Sequence, residues 1–291
     1  MKLPLHLLGL ALILGALSAH GADRKLVMIA GKPSHGPGEH EFRAGCLLLQ
    51  KCLEGVPGLH TAFYDGGWPK SPDAFAGADA VFLYADGGDG HPFLQEDHLP
   101  IIAGLISKGV GLGLAHYAVE VPKERAGRQF QAWVGGYYET AYSCNPMWSP
   151  DYQSFPDHPI TRGVKPFTTR DEWYIHMRFR PEMQGVLPIL VAKPSDQVRR
   201  GPYVYPPGPY PHIIAASGQD EIMMWAVERP DGGRGFGFTG GHYHRNWGND
   251  NVRKLVLNAL LWIAKVEVPA DGVQSAVSAE ELERNLDPKH R

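Results

Sequence analysis

The sequence predicts an α/β fold: a three-layer αβα arrangement with a mainly parallel sheet, elaborated by an aromatic-, Pro- and Gly-rich insertion. Two observations carry this. Short runs such as Lys25–Ala30 (KLVMIA) and Ala80–Ala85 (AVFLYA) are apolar throughout, as strands covered on both faces require. Segments with a helical apolar period alternate with them, the pattern of parallel strands joined by crossover helices.

In chain order, Lys25–Ala30 is the first strand, ended by Gly31, and the loop GKPSHGPGEH follows. Glu39 to Leu53 reads as a helix with Phe42, Cys46 and Leu49 on one face. Thr61–Tyr64 is a second strand, and Ala80–Ala85 a third, running into Asp86-Gly87-Gly88. Gln95–Lys108 is a second helix that Pro100 breaks or restarts. Val110–Ala115 (VGLGLA) is a fourth strand, ending at His116. Residues 117–212 lack a core pattern of their own and read as the insertion, with one strand at Val186–Ala192. Two late strands, Ile222–Glu228 and Gly235–Thr239, flank a turn at Pro230-Asp231-Gly232-Gly233. Asn251–Lys265 is an amphipathic helix, and the tail from Val266 carries a capping box, Ser278 with Glu281. The expected organisation is therefore a targeting segment over residues 1–21, an α/β domain over 22–265, and a tail over 266–291.

Composition narrows the function. Of 291 residues, 43% are hydrophobic and 20% charged, which excludes a fully disordered chain. The formal charge of −3 comes with no basic stripe, so nucleic acid is not an expected partner. Lys2, the apolar stretch Leu3–Leu17 and the small residues Ser18, Ala19, Gly21 and Ala22 read as a cleaved secretory signal. That stretch is short for a span of ~20 residues. An exported protein with no stable membrane insertion is the expectation, the alternative being an uncleaved anchor. Cys46, Cys52 and Cys144 are three in number, and the first two lie on different faces of one helix, too far apart for a disulfide.

In an open parallel sheet, ligands bind beyond the carboxyl ends of the strands. The first strand leads to Ser34, His35, Glu39 and His40, the third to Asp86, the fourth to His116 and Tyr117, and the last to His242 and His244. Four segments thus deliver imidazoles and carboxylates to one rim. His116 stands at a strand-to-helix turn, where hydrolases of α/β type place a nucleophile, but an imidazole there suits proton transfer instead. Glu172 and His176 share a face at four-residue spacing and qualify as an acid/base pair, as metal ligands or as a salt-linked pair. His242 and His244 alternate across Tyr243, so in an extended chain both reach one divalent metal; no HExxH accompanies them. Trp173 and its aromatic neighbours are candidates for stacking on a sugar or for packing.

Four segments together resemble the ThuA-like family, associated with trehalose utilisation: SHGPGEHEF (Ser34–Phe42), GVGLGLAH (Gly109–His116), DHPITRGV…DEWY (Asp157–Tyr174), and RGFGFTGGHYHRNW with its closing helix (Arg234–Lys265). The resemblance implies a flavodoxin-like, class I glutamine amidotransferase-like fold and a role in carbohydrate metabolism. It sets His116 at the elbow where an amidotransferase carries its cysteine, so glutamine hydrolysis is not implied. The expectation is a hydrolase, lyase or isomerase acting on a sugar or keto-sugar. In it His116, Glu172 and His242 are catalytic, and His35, His40, Tyr117, Asp86, His176 and Trp173 contact substrate. No cofactor is certain; a divalent metal at His242 and His244 is the one considered. The alternative is a carbohydrate- or metal-binding module without turnover.

Overall fold

The structure, a computed structural model, describes residues 23–289. The expected signal segment lies outside them. The main sheet has seven strands: β1 (Arg24–Ala30), β2 (Leu59–Tyr64), β3 (Ala78–Tyr84), β4 (Gly111–Ala115), β5 (Val186–Ala192), β6 (Glu221–Glu228) and β7 (Arg234–Phe238). Their order is β5-β6-β7-β4-β3-β1-β2. The neighbours β2, β1, β3, β4 and β7 run parallel, while β6 is antiparallel to both β7 and β5. The run β2-β1-β3-β4-β7 is the flavodoxin-like strand order, with its switch point between β1 and β3. Strand β5 comes from within the stretch read as an insertion, yet it forms one edge of the main sheet.

Side-chain alternation sorts the two faces. Leu26, Met28, Phe82 and Tyr84 face one buried layer with Cys46 and Leu49 of α1 (Phe42–Cys52) and the apolar stripe of α6 (Asp250–Ile263). Val27, Ile29, Val81 and Leu83 face the other, with Ile102 and Ile106 of α2 (His98–Ile106) and Phe130 and Val134 of α3 (Arg128–Val134). The Gly-Leu alternation of β4 follows from the same geometry. Leu112 and Leu114 fill the α2/α3 side. A Cβ on Gly111 would stand 2.2 Å from the Ile263 carbonyl oxygen, and one on Gly113 2.3 Å from the Phe236 ring, so only glycine lets these neighbours approach.

Helix α1 begins at Phe42 rather than Glu39. His40 takes φ +46°, and its N–H donates to the His242 carbonyl at 3.0 Å, so the loop is tied across to the segment after β7 before the helix can start. Pro100 sits in the first turn of α2, where its missing N–H costs nothing. Between β4 and β5 the backbone makes three two-residue antiparallel pairs, among them Met147–Trp148 with Asp171–Glu172. Short helices α4 (Asp196–Arg200) and α5 (Pro211–Ala215) precede β6, and α7 (Ala279–Leu282) lies in the tail with the expected Ser278/Glu281 capping box. The three cysteines are free thiols. Among the described residues no helix is long and apolar enough to cross a membrane.

Two buried polar residues make the fold testable. Asn258 of α6 is fully buried; its Nδ2 donates to the carbonyls of Ile160 and Arg162 at 2.9 and 3.0 Å, and its Oδ1 accepts from Val273 N–H at 2.8 Å. Asn258→Leu strands three backbone groups, and denaturant melts are expected to show a loss of about 2–3 kcal/mol. His91, on the loop after β3, is fully buried, and burial holds its imidazole down at about 4 against an ordinary 6.5. The unfolded chain therefore takes up this proton first as pH falls from 6.5 towards 4, and the native state loses stability across that window. Replacing His91 by Gln should flatten the acid limb of a stability-against-pH curve by up to about 1.4 kcal/mol per pH unit.

Candidate active site

The carboxyl ends of β1, β3, β4 and β7 meet at one rim, and the chain leaving each supplies an imidazole or its support. His40 comes from the loop after β1, Asp86 from beyond β3, His116 from the end of β4 and His242 from beyond β7. Glu172 arrives from the two-residue pair Asp171–Glu172 between β4 and β5. His40, His116, Glu172 and His242 are each no more than 3% exposed, and one ligand atom from each lies within 4.8 Å of all the others.

Their outer contacts fix which way each ring faces. His116 Nδ1 lies 2.9 Å from the Thr239 carbonyl, which only accepts, so Nδ1 carries the proton and Nε2 presents a lone pair inward. His40 Nδ1 lies 2.9 Å from Asp86 Oδ1, which Ser34 Oγ also contacts at 3.0 Å; its Nε2 likewise faces inward. The two Nε2 atoms stand 3.0 Å apart. His242 Nδ1 lies 2.7 Å from Glu172 Oε2 and 3.1 Å from His40 Nε2, and Glu172 Oε2 is 3.6 Å from His116 Nε2. The second oxygen, Glu172 Oε1, accepts from Asn145 Nδ2 at 2.6 Å. The hydroxyl of Tyr174 is 3.4 Å from His116 Nε2.

Backbone geometry holds these rings under strain. His35, His40 and His116 all have left-handed φ, +60°, +46° and +55°. For residues other than glycine that costs of order 1–3 kcal/mol each and persists only where surroundings over-determine it. Asp171 is one such determinant: fully buried, it accepts from the N–H groups of Gly241 (2.7 Å), Tyr243 (3.2 Å) and Glu172 (2.9 Å), joining Glu172 to the loop that carries His242.

Burial dominates the electrostatics. It pushes the imidazoles of His40 and His116 well below the ordinary range, and neighbouring imidazoles add to the effect, His35 and His242 at His40, and His40 and His242 at His116. It raises the Glu172 carboxyl, against the pull of His242 and Asn145. For His242 burial acts downward, but the Glu172 carboxylate outweighs it and the imidazole is raised. Asp86 is raised by burial, with Ser34 opposing.

Glu120, four residues beyond His116, has a carboxyl that burial lifts to about 7, with the charge of Glu172 adding to the lift and a 2.7 Å hydrogen bond from Thr140 opposing it. Tyr117, Tyr138, Tyr174 and Tyr210 all lie within electrostatic range of that carboxyl. The hydroxyls of Tyr138 and Tyr210 are buried with no hydrogen-bond partner. On the other side of Asp86 a crevice of about 1070 Å³ opens at the switch point, walled by Trp68, Phe75, Lys70, Gln95 and His98.

The residues expected from sequence divide clearly. His116, Glu172 and His242 converge, and His40, expected only as a substrate contact, stands among them. His35 stacks on His40 at 3.6 Å between ring centroids, Asp86 orients it, and the Tyr117 ring lies 6.1 Å away. Three expectations are corrected. Trp173 is fully buried against Phe238 and Tyr152, with Nε1 donating to Thr169, and offers no face to a ligand. His176 does not join Glu172: it has φ +59°, so the chain is neither helical nor extended there, and it faces Glu221 at 3.8 Å. His244 does not share a site with His242: a 3-10 turn begins at His244, both its ring nitrogens are buried without a partner, and it stands outside the cluster of His40, His116, Glu172 and His242. Asn145, Asp171, Tyr174 and Glu120 were not found from sequence. Only two had a signal: Asp171 adjoins Glu172, and Glu120 follows His116 at four-residue spacing.

Fold and rim together define a flavodoxin-like α/β protein whose ligand edge carries a buried imidazole–carboxylate cluster. The family model described as ThuA, trehalose utilisation, matches residues 70–263, and the chain belongs to that family. A solved ThuA-like protein from Bacteroides uniformis ATCC 8492 is 13% identical with a TM-score of 0.57, over 83% of this chain and 92% of that one. Another, from Parabacteroides merdae ATCC 43184, is 16% identical with a TM-score of 0.55, over 87% of this chain and 93% of that one. At these identities the likeness is one of fold. No curated protein matches the sequence.

Proposed function

We propose that the protein is an exported enzyme of carbohydrate metabolism that acts on a sugar or keto-sugar derivative. In this reading His40, His116, Glu172 and His242 hold a divalent first-row transition ion. The observation that carries it is the pair of inward-facing lone pairs on His40 Nε2 and His116 Nε2, 3.0 Å apart in a buried site. Two acceptors so placed repel unless a cation lies between them, and burial disfavours a proton there. Imidazole and carboxylate donors suit ions from Mn²⁺ to Zn²⁺. Four such ligands around one ion stand about 3.3 Å apart, given metal–ligand bonds near 2.0–2.1 Å. Four of the six separations, 2.7, 3.0, 3.1 and 3.6 Å, bracket that value, and all six stay within 4.8 Å. The outer partners Asp86 and Thr239 fix the tautomers of His40 and His116, as carboxylates and carbonyls behind metal-bound histidines do.

A bound ion would supply Lewis acidity towards a substrate oxygen. His116, Glu172 and His242 are then ligands, and the proton work passes to another group. Glu120 has the properties for it: a carboxyl near neutral pKa, one hydrogen bond from Thr140, and two neighbouring tyrosines, Tyr138 and Tyr210, whose hydroxyls are unpaired, which suits a hydroxyl-rich substrate. The family description supports the carbohydrate assignment, and the amino-terminal apolar run supports export.

Elemental analysis of protein purified without chelator tests the centre. About one transition ion per chain is expected, lost in His116→Ala and His40→Ala. A protein that holds none, and takes up none of added Zn²⁺, Mn²⁺ or Co²⁺, would refute the metal centre. Turnover is tested by incubating the metal-loaded protein with trehalose and a panel of oxidised and unoxidised sugars, followed by NMR. Glu120→Gln should keep its metal and lose at least about 100-fold in rate. Saturable binding with no conversion of any sugar would instead establish a non-catalytic module.

A further inference from the structure

The family match ends at residue 263, but the chain continues along the molecule and returns to the site. Val273 N–H is held by Asn258 and Ser275 by Arg253, both on α6. Helix α7 follows, with Glu281 paired to Lys51 of α1. The Asn285 carbonyl accepts from Arg43 at 3.3 Å, and Asp287 N–H donates to Glu41 Oε2 at 2.8 Å. The segment then delivers Lys289 to the loop that carries His40.

We infer that Lys289 is a positioning residue for His40, and that residues 266–289 act as a strap holding the His40 loop in its metal-binding conformation. The inference rests on the metal-centre reading. The Lys289 ammonium donates to the carbonyl of Glu39, to that of His40 at 3.2 Å, and to Glu41 Oε1 at 3.3 Å. These three acceptors match the three N–H donors an ammonium has. The side chains are 6% and 1% exposed for Lys289 and Glu41, so the ion pair is desolvated and its geometry constrained. Two consecutive carbonyls aimed at one nitrogen fix the peptides on both sides of His40. Those peptides set the left-handed φ of +46° that turns the ring towards His116 and His242. Glu41 completes the clamp by accepting from Gly38 N–H at 2.9 Å on the other side of the histidine. The strap thus acts on the metal through the backbone of a ligand and touches neither ion nor substrate.

The test compares Lys289→Met and Lys289→Arg with the parent protein, using Co²⁺ as the probe. Metal affinity is read by competition with a chelator, ligand geometry by the visible Co²⁺ spectrum, and loop order by amide exchange at His40 in the metal-free protein. Lys289→Met should bind Co²⁺ about 10- to 100-fold more weakly, the loss typical of removing an outer support of a metal ligand. It should also alter the spectrum and speed exchange at His40, and Lys289→Arg should restore part of each. If Lys289→Met unfolds, the Arg variant and Glu281→Gln, which loosens the strap upstream, report instead through the same three readouts. Affinity, spectrum and His40 exchange all equal to the parent would overturn the inference. A parent protein that binds no Co²⁺ would count against the metal centre, and the strap would then stand or fall on His40 exchange alone.

Discussion

Everything at the rim depends on keeping two neutral imidazoles nose to nose in a buried site. His40 and His116 present unprotonated nitrogens to each other at 3.0 Å, and neither ring can turn away. Asp86 and Thr239 hold the opposite nitrogens as donors, so rotating either ring would break a hydrogen bond, fully buried at His116, where the loss costs about 1–3 kcal/mol, and partly buried at His40. The left-handed backbone at both residues adds its own cost. Stability spent on holding acceptors together is what the proposed cation site would recover on binding positive charge.

The parallel sheet makes this arrangement available. Strands β1, β3, β4 and β7 run the same way, so the loops leaving them gather at one edge although their residues are some 200 positions apart in the chain, as His40 and His242 are. The parallel pairing of β7 with β4, Phe238 opposite Ala115, brings the segment after β7 alongside the end of β4. The Thr239 carbonyl thereby falls within reach of His116.

The fold was largely legible because it rests on period and polarity. Apolar runs gave the strands, and the stripe through Val252, Leu255, Val256 and Ala259 gave α6, within a residue or two at each end. The site was legible only where it follows a strand, which is why His40, Asp86, His116 and His242 could be named as a set. It was not legible where local geometry decides. A positive φ at His176 and a 3-10 turn at His244 undo the spacing arguments that grouped those residues with Glu172 and His242. Nothing in the local pattern around Asn145 or Tyr174 separates a residue beside the cluster from one packed in the core, since both lie in the segment without a core period. Lys289 is further still from any sequence signal, because its role appears only once the tail has run back along α6 and α1.

His116 shows how one backbone position can serve different chemistry. At a strand-to-turn elbow the strained residue projects its side chain at the ligand edge, which suits a nucleophile that must meet an electrophile. An imidazole in that place, fully buried and tied through Nδ1 to a carbonyl, has no free proton to move and one lone pair to give. In the proposed metal centre the elbow would fix a ligand instead of launching an attack, and the acid/base role would pass to a group outside the cluster. Glu120 lies one turn further along the same segment, where burial raises its carboxyl to about 7 while Thr140 and the surrounding tyrosines keep the environment polar. Strain at the elbow and the perturbed carboxyl of Glu120 thus lie on one segment: in the proposed site the first would orient a donor and the second would supply a proton carrier near neutrality.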